Sequence, residues 1–171
     1  TYGTGKVLED NINKNANNRI KILTSSKKEN IKIEYTFDDQ NLNLINDIEL
    51  IVDGQADIVI VYKSNTNKMC FHNGRIKLNA KNSSNVNITI VNLLNNVTNN
   101  FEEIENEIED NSNVKYTIID IGGRNSVSNY YSNIIGENAK NDLKTIYLGI
   151  ENQVKDINYI VELKGKKSEV N

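Results

Sequence analysis

Asp53-Gly54-Gln55-Ala56-Asp57-Ile58-Val59-Ile60 sets a pattern that returns as Ser84-Asn85-Val86-Asn87-Ile88-Thr89-Ile90 and again as Ser112-Asn113-Val114-Lys115-Tyr116-Thr117-Ile118. Each copy is a polar turn, a small or β-branched corner residue, and then alternating apolar positions. Further copies read Glu137-Asn138-Ala139, followed by Leu143 and Ile146, and Lys167-Ser168-Glu169-Val170. The corner residues 56, 86, 114, 139 and 168 lie 30, 28, 25 and 29 apart. Each interval holds a second apolar stretch, such as Gly74-Arg75-Ile76-Lys77-Leu78 or Asn158-Tyr159-Ile160-Val161-Glu162-Leu163. Two short strands per recurrence are what a coiled solenoid needs, because each coil buries its inward side chains only against the coils above and below. A sandwich also has a turn about every 8–12 residues, but the same unit would not return every third or fourth strand. The expected fold is therefore all-β: a parallel β-helix (β-solenoid) with coils of 25–30 residues, right-handed by the steric preference of parallel crossovers. Ala56, Ile58, Ile60, Val86, Ile88, Ile90, Val114, Tyr116 and Ile118 are expected to point inward and stack from coil to coil.

Working outward, short apolar runs alternate with Asn/Gly/Ser/Asp clusters from Arg19 onward. Candidate strands are 19–24, 31–37, 43–52, 56–63, 70–78, 86–92, 114–121, 127–135, 143–148 and 157–163. Residues 1–17 are polar without periodicity and read as a linker or frayed N-terminal segment; residues 18–171 form the expected β-helix core domain. Phe101-Glu102-Glu103-Ile104-Glu105-Asn106-Glu107-Ile108 has apolar residues at a helical spacing. The repeat nevertheless requires a strand there, with Ile104, Asn106 and Ile108 sharing a face and Asn106 the odd member. The sequence starts at Thr1 and its last residues, from Lys166 to Asn171, read as the start of a strand, so it is taken as a piece of a longer protein.

Composition agrees. Of 171 residues, 32 are Asn and 24 are Ile. A low-GC genome, as in a low-GC bacterium, favours both codon families, yet the physical consequences stand. Isoleucine is β-branched and suits strands, while asparagine tolerates left-handed backbone and stacks into hydrogen-bonded ladders. Twenty Lys and Arg against 23 Asp and Glu leave a net charge of −3, with none of the basic excess of a nucleic-acid or anionic-membrane protein. No apolar run is long enough to span a bilayer. A single cysteine excludes an internal disulfide framework and a Cys-rich zinc site within one chain.

The chemistry-bearing residues are sparse. Cys70-Phe71-His72 holds the only Cys and the only His, two apart and so on one face of a strand. They read as a thiolate–imidazole pair or half a metal site, against a buried thiol beside a hydrogen-bonded histidine; the latter is the expectation, since no third ligand lies at a usable short spacing. Thr1-Tyr2-Gly3-Thr4-Gly5-Lys6 lacks the spacer and ending of a phosphate loop. Gly122-Gly123-Arg124-Asn125 reads as a turn between strands. The acidic run from Glu102 to Asp110 reads as a solvated face, and the three Asn-x-Ser/Thr sequons as chance in an Asn-rich chain. No catalytic, cofactor-binding or metal-ligating residue is assigned.

The repeated units do resemble a known family. Ile48-Glu49-Leu50-Ile51-Val52-Asp53-Gly54-Gln55-Ala56-Asp57-Ile58 is similar to the entry into the β-helix of the SufB/SufD proteins of iron–sulfur cluster assembly. So are Phe71-His72-Asn73-Gly74, Asn111-Ser112-Asn113-Val114-Lys115-Tyr116 and, most closely, Ile135-Gly136-Glu137-Asn138-Ala139-Lys140 leading to Tyr147-Leu148-Gly149. The resemblance covers roughly residues 20–171 and lies in spacing and turn type more than in rare motifs. It implies a cytoplasmic scaffold subunit of the SUF system rather than an enzyme. Its implied partners are a paralogous or identical scaffold subunit and an ABC-type ATPase, and the intact complex builds an iron–sulfur cluster. The family's cluster-building residues and its ATPase-docking helical domain are expected beyond Asn171, so the fragment itself is expected to hold no cofactor. Cys70 matches no functional cysteine of the family, and His72 matches a recurrent histidine at a strand start to which no role is assigned. The alternative is a β-solenoid polysaccharide-processing enzyme or a cell-surface adhesin; against it, the three arginines, Arg19, Arg75 and Arg124, are scattered in sequence. Because an uncapped coil exposes apolar surface, the fragment is also expected to self-associate through a terminal coil.

Overall fold

The computed structural model describes residues 5–25 and 27–171. Helix α1 (Lys6–Asn15) is followed by β1 (Asn18–Leu23), β2 (Glu29–Phe37), β3 (Asn43–Val52), β4 (Gln55–Ser64), β5 (Phe71–Ala80) and β6 (Asn85–Leu93). The chain continues with β7 (Asn99–Ile108), β8 (Asn113–Asp120), β9 (Asn125–Ile134), β10 (Lys140–Tyr147), β11 (Val154–Leu163) and β12 (Glu169–Val170). Odd-numbered strands form one six-stranded sheet in the order β1-β3-β5-β7-β9-β11, and even-numbered strands form the other. Every pairing is parallel. This is the β-solenoid that the recurrence predicts: the chain alternates between two sheets and climbs one strand in each per coil.

Register explains the core. In the odd sheet Ile20, Ile48, Ile76, Ile104, Tyr130 and Tyr159 stand one above another. In the even sheet Ile31, Ile58, Ile88, Tyr116 and Leu143 form the facing column. All nine residues expected to point inward are buried. Each such isoleucine removed from water contributes roughly 1.5–3 kcal/mol, so a six-coil stack is held by its columns rather than by any one contact. The segment at 101–108 is strand, within β7, despite its helical spacing. Asn106 is tolerated inside because its Nδ2 donates to the Tyr131 carbonyl at 3.1 Å and its Oδ1 accepts from the Tyr116 hydroxyl at 2.7 Å.

The corner column differs from the expectation. Val114 pairs with Asn141, not Ala139, and Asn141 pairs with Val170, not Ser168. Ala139 and Ser168 belong one step earlier, in the corner with Ser84 and Ser112, where the Ser168 hydroxyl oxygen accepts from the Ala139 amide at 3.2 Å. Alternation of small and polar residues is the same two positions apart, so the pattern alone does not separate the columns. From the β3–β4 connection onward the corner holds a left-handed residue: Gly54, Ser83, Asn111, Asn138 and Lys167 all have positive φ, from 54° to 96°. Gly54 takes this conformation without steric cost, and the Asn138 amide donates to Asn111 Oδ1 at 3.4 Å, a short asparagine ladder.

Within residues 1–17, expected as a linker or frayed N-terminal segment, Lys6–Asn15 form α1. Its residues are polar enough to hide a helical period, but Ile12 is fully buried. The helix lies on the odd sheet, where Asn73 Nδ2 donates to the Leu8 carbonyl at 2.9 Å and the Arg19 guanidinium donates to the Ile12 and Asn13 carbonyls. Thr1 to Thr4, the first part of the stretch weighed as a phosphate loop, lie outside the described residues. On the same outer face charges alternate along the columns. Asp47 takes ion pairs from Arg19 at 2.7 Å and Arg75 at 2.8 Å, while Lys21–Glu49 and Lys77–Glu105 pair at 3.0 Å.

Candidate functional site

Where the odd strands begin, the interior changes from aliphatic to polar. Leu44, His72, Asn100 and Ser126 succeed one another in register, as do Asn46, Gly74, Glu102 and Ser128. The parity that points isoleucines inward further along these strands points these groups inward too.

His72 is the centre. It is fully buried, with Nδ1 at 2.5 Å from Asn100 Oδ1 and Nε2 at 2.7 Å from Asn46 Oδ1. The Tyr62 ring lies against it at 4.3 Å between centroids, and Phe37 meets it edge-on. Burial pushes the imidazole pKa down to about 4, with the Asn100 hydrogen bond pulling weakly the other way, so the ring is neutral near pH 7. A neutral ring donates at one nitrogen only. Donation from Nδ1 to Asn100 leaves Nε2 to accept from an NH2, an orientation open to the Asn46 amide. Gly74 makes the space: a Cβ there would meet His72 Nε2 at 2.7 Å and Asn46 Oδ1 at 2.8 Å.

Hydrogen bonds run on from His72 in both directions. Asn46 reaches the Tyr62 hydroxyl at 3.3 Å, and Tyr62 stacks on Tyr35, whose hydroxyl donates to Asn18 Oδ1 at 2.8 Å. Toward the later coils Asn100 Nδ2 donates to Ser126 Oγ and the Ser126 hydroxyl donates to Asp120 Oδ2, both at 2.8 Å. Asp120 also accepts from Asn92 at 2.8 Å and from Lys155 Nζ at 2.9 Å, and the same ammonium donates to the Gly122 carbonyl. Lys155 and Asp120 are an almost fully buried ion pair. A connected hydrogen-bonded chain thus threads the solenoid from Tyr62 in β4 to Lys155 in β11, and the Tyr62–Tyr35 stack joins it to the Tyr35–Asn18 pair.

Glu102 stands beside it. Burial raises its carboxyl pKa to about 7; a hydrogen bond with the Tyr62 hydroxyl opposes the rise and the charge of Asp120 adds to it. Its Oε1 and the neighbouring Ser128 Oγ have no hydrogen-bond partner among the described residues. The acidic run is therefore not a solvated face: strand parity points Glu102 inward, and Glu103 is buried on the outer face in register with Arg75, while Glu107 on that same outer face is exposed.

Cys70 and His72 do not form a pair. The Cys70 thiol is buried and donates to the Lys68 carbonyl at 3.5 Å, and burial pushes its pKa up, away from a reactive thiolate. No group of three or more His, Cys, Asp or Glu side chains among the described residues is placed to hold a metal ion. Two of the three arginines scattered in sequence, Arg19 and Arg75, meet at Asp47, with Arg124 apart. Gly122-Gly123 does form the connection between β8 and β9, with Gly123 at φ 83°. The sequence reading missed Glu102, Asp120, Asn46, Asn100 and Lys155. The available signal was a polar residue at an inward parity position, as was noted only for Asn106.

The chain was compared with known proteins. A family model described as the SUF system FeS cluster assembly, SufBD core domain, matches residues 35–171. Comparisons with curated proteins and with solved structures gave no match. No helix among the described residues is long and apolar enough to cross a membrane.

Proposed function

The chain belongs to the SufBD core family of SUF iron–sulfur cluster assembly, and on that premise we propose that it is a scaffold subunit rather than an enzyme, working in the cytoplasm with an ABC-type ATPase and with a paralogous or identical scaffold subunit. The observation that carries this reading is the family match across β2 to β12, the same coils whose columns build the molecule. The interior supports it. Its polar groups are mostly spent on one another, and its thiol is buried and hydrogen-bonded to backbone, which suits a rigid frame. The iron–sulfur cluster is cargo of the assembled complex, and no residue of this chain is assigned to hold it.

The test is capture. Full-length protein carrying these coils should retain an ABC-type ATPase on an affinity column, and anaerobic reconstitution of residues 1–171 alone should leave no stoichiometric iron and sulfide. Failure to capture an ATPase would overturn the scaffold reading. A cluster retained by residues 1–171 and lost in Cys70→Ser would move the cluster chemistry into these coils.

A further inference from the structure

Two interior side chains are left over from the hydrogen-bonded chain. Glu102 and Ser128 are 4% and 6% exposed and stand side by side in register on β7 and β9, facing inward. Glu102 Oε1 and Ser128 Oγ nevertheless have no hydrogen-bond partner, side chain or backbone, among the described residues. Their polar neighbours are engaged elsewhere: Asn46 and Asn100 hold His72, and Ser126 passes its hydroxyl hydrogen to Asp120 Oδ2. The column they belong to reads Asn46, Gly74, Glu102, Ser128 and Ile157. It steps down at Ser128, because a glutamate oxygen lies two bonds farther from its Cα than a serine oxygen does. A short polar side chain thus stands beside a long one on strands about 4.8 Å apart.

We infer that the solenoid binds one water molecule between Glu102 Oε1 and Ser128 Oγ, as an internal rung from β7 to β9. Buried polar atoms are nearly always satisfied, and where the protein supplies no partner an ordered water does. Water suits this pair. It donates to the carboxyl oxygen and either accepts from the serine hydroxyl or donates to it, since a hydroxyl plays both parts. A metal ion does not suit it. One carboxyl oxygen and one hydroxyl are two ligands where a hard cation takes six or more, and no acidic, His or Cys cluster among the described residues adds to them. In the neighbouring column His72, Asn100 and Ser126 are tied from coil to coil by their own side chains. The water supplies the same tie where a carboxyl and a hydroxyl do not reach each other. The site is independent of the scaffold reading, and neither ATPase capture nor cluster content bears on it.

A crystal structure of the 171-residue chain, at a resolution that shows ordered water, decides it. The expected result is a solvent peak about 2.6–3.2 Å from both Glu102 Oε1 and Ser128 Oγ. Ser128→Asn should lose that peak, because its longer side chain carries an NH2 into the same place and donates to Glu102 directly. Should that variant fail to fold, the wild-type map still decides, backed by water–amide cross-relaxation in solution, which should report a long-lived water beside Glu102 and Ser128. A direct Glu102–Ser128 hydrogen bond, a dry gap, or a peak that touches only one of the two groups overturns the inference. So does a peak that persists in Ser128→Asn. Density ringed by about six oxygens, rising and falling with the potassium or sodium supplied, would make the guest an ion and overturn it as well.

Discussion

Glu102→Gln should stabilise the protein, and only above a definable pH. The wild-type carboxyl is buried, and its pKa rises from 4.5 to about 7 on folding. For a group raised in this way, the favourable contribution of the protonated form is complete below pH 4.5 and is lost as pH climbs through 7. Above that, folding must bury a carboxylate whose Oε1 has no partner among the described residues. The shift corresponds to about 3 kcal/mol at pH 8, by the order of 1.4 kcal/mol per pKa unit. Glutamine has the same shape, keeps an oxygen and an NH2 for the Tyr62 hydroxyl and Ser128 Oγ, and carries no charge. Urea unfolding followed by circular dichroism at a series of pH values should give coincident midpoints near pH 4 and a variant more stable by roughly 2–3 kcal/mol near pH 8. A difference that is constant across pH, or a wild type that gains on the variant as pH rises, would refute the placement of Glu102 as a buried, proton-holding group.

The remaining expectations test the same interior. His72 has its pKa lowered to about 4, so its neutral-form stability is present above pH 6.5 and lost as pH falls through 4; His72→Gln should flatten that acid limb in a thermal-melt series. Gly74→Ala should lower stability by about 1–3 kcal/mol in equilibrium unfolding, because the new methyl group meets His72 and Asn46 below 3 Å. Asp120→Ala leaves Lys155 buried without its partner and should cost about 3–5 kcal/mol, whereas Asp120→Ala with Lys155→Met should recover much of that in the same unfolding assay.

The fold was legible because strand parity and coil length both write themselves into the sequence. Ile58, Ile88 and Tyr116 recur at intervals that only a repeating coil explains. The polar interior was not legible for the same reason that it works. His72, Asn46 and Asn100 are 26 and 28 residues from one another, and nothing in their local sequence marks them as neighbours until the register is known. A slip of two residues, as at Ala139, preserves every alternation while changing every partner. Helix α1 escaped notice because it is anchored by one apolar residue, Ile12, and by carbonyls that no sequence pattern reveals. Glu102 was misread because a run of acids looks the same whether or not the backbone beneath it alternates.

The charge columns on the odd sheet act as a parity check on assembly. Reading up one column the signs run Arg19, Asp47, Arg75, Glu103, and beside it Lys21, Glu49, Lys77, Glu105. If a coil were skipped during folding, or looped out and replaced by the next, Arg19 would land on Arg75 or Asp47 on Glu103, and the second column would fail with the first. Directly opposed like charges are destabilising, so single-coil errors are penalised twice over, while an omission of two coils restores the alternation. A chain of near-identical turns thereby carries its own count, and a lineage that lengthens or shortens this part of the solenoid should do so in pairs of coils.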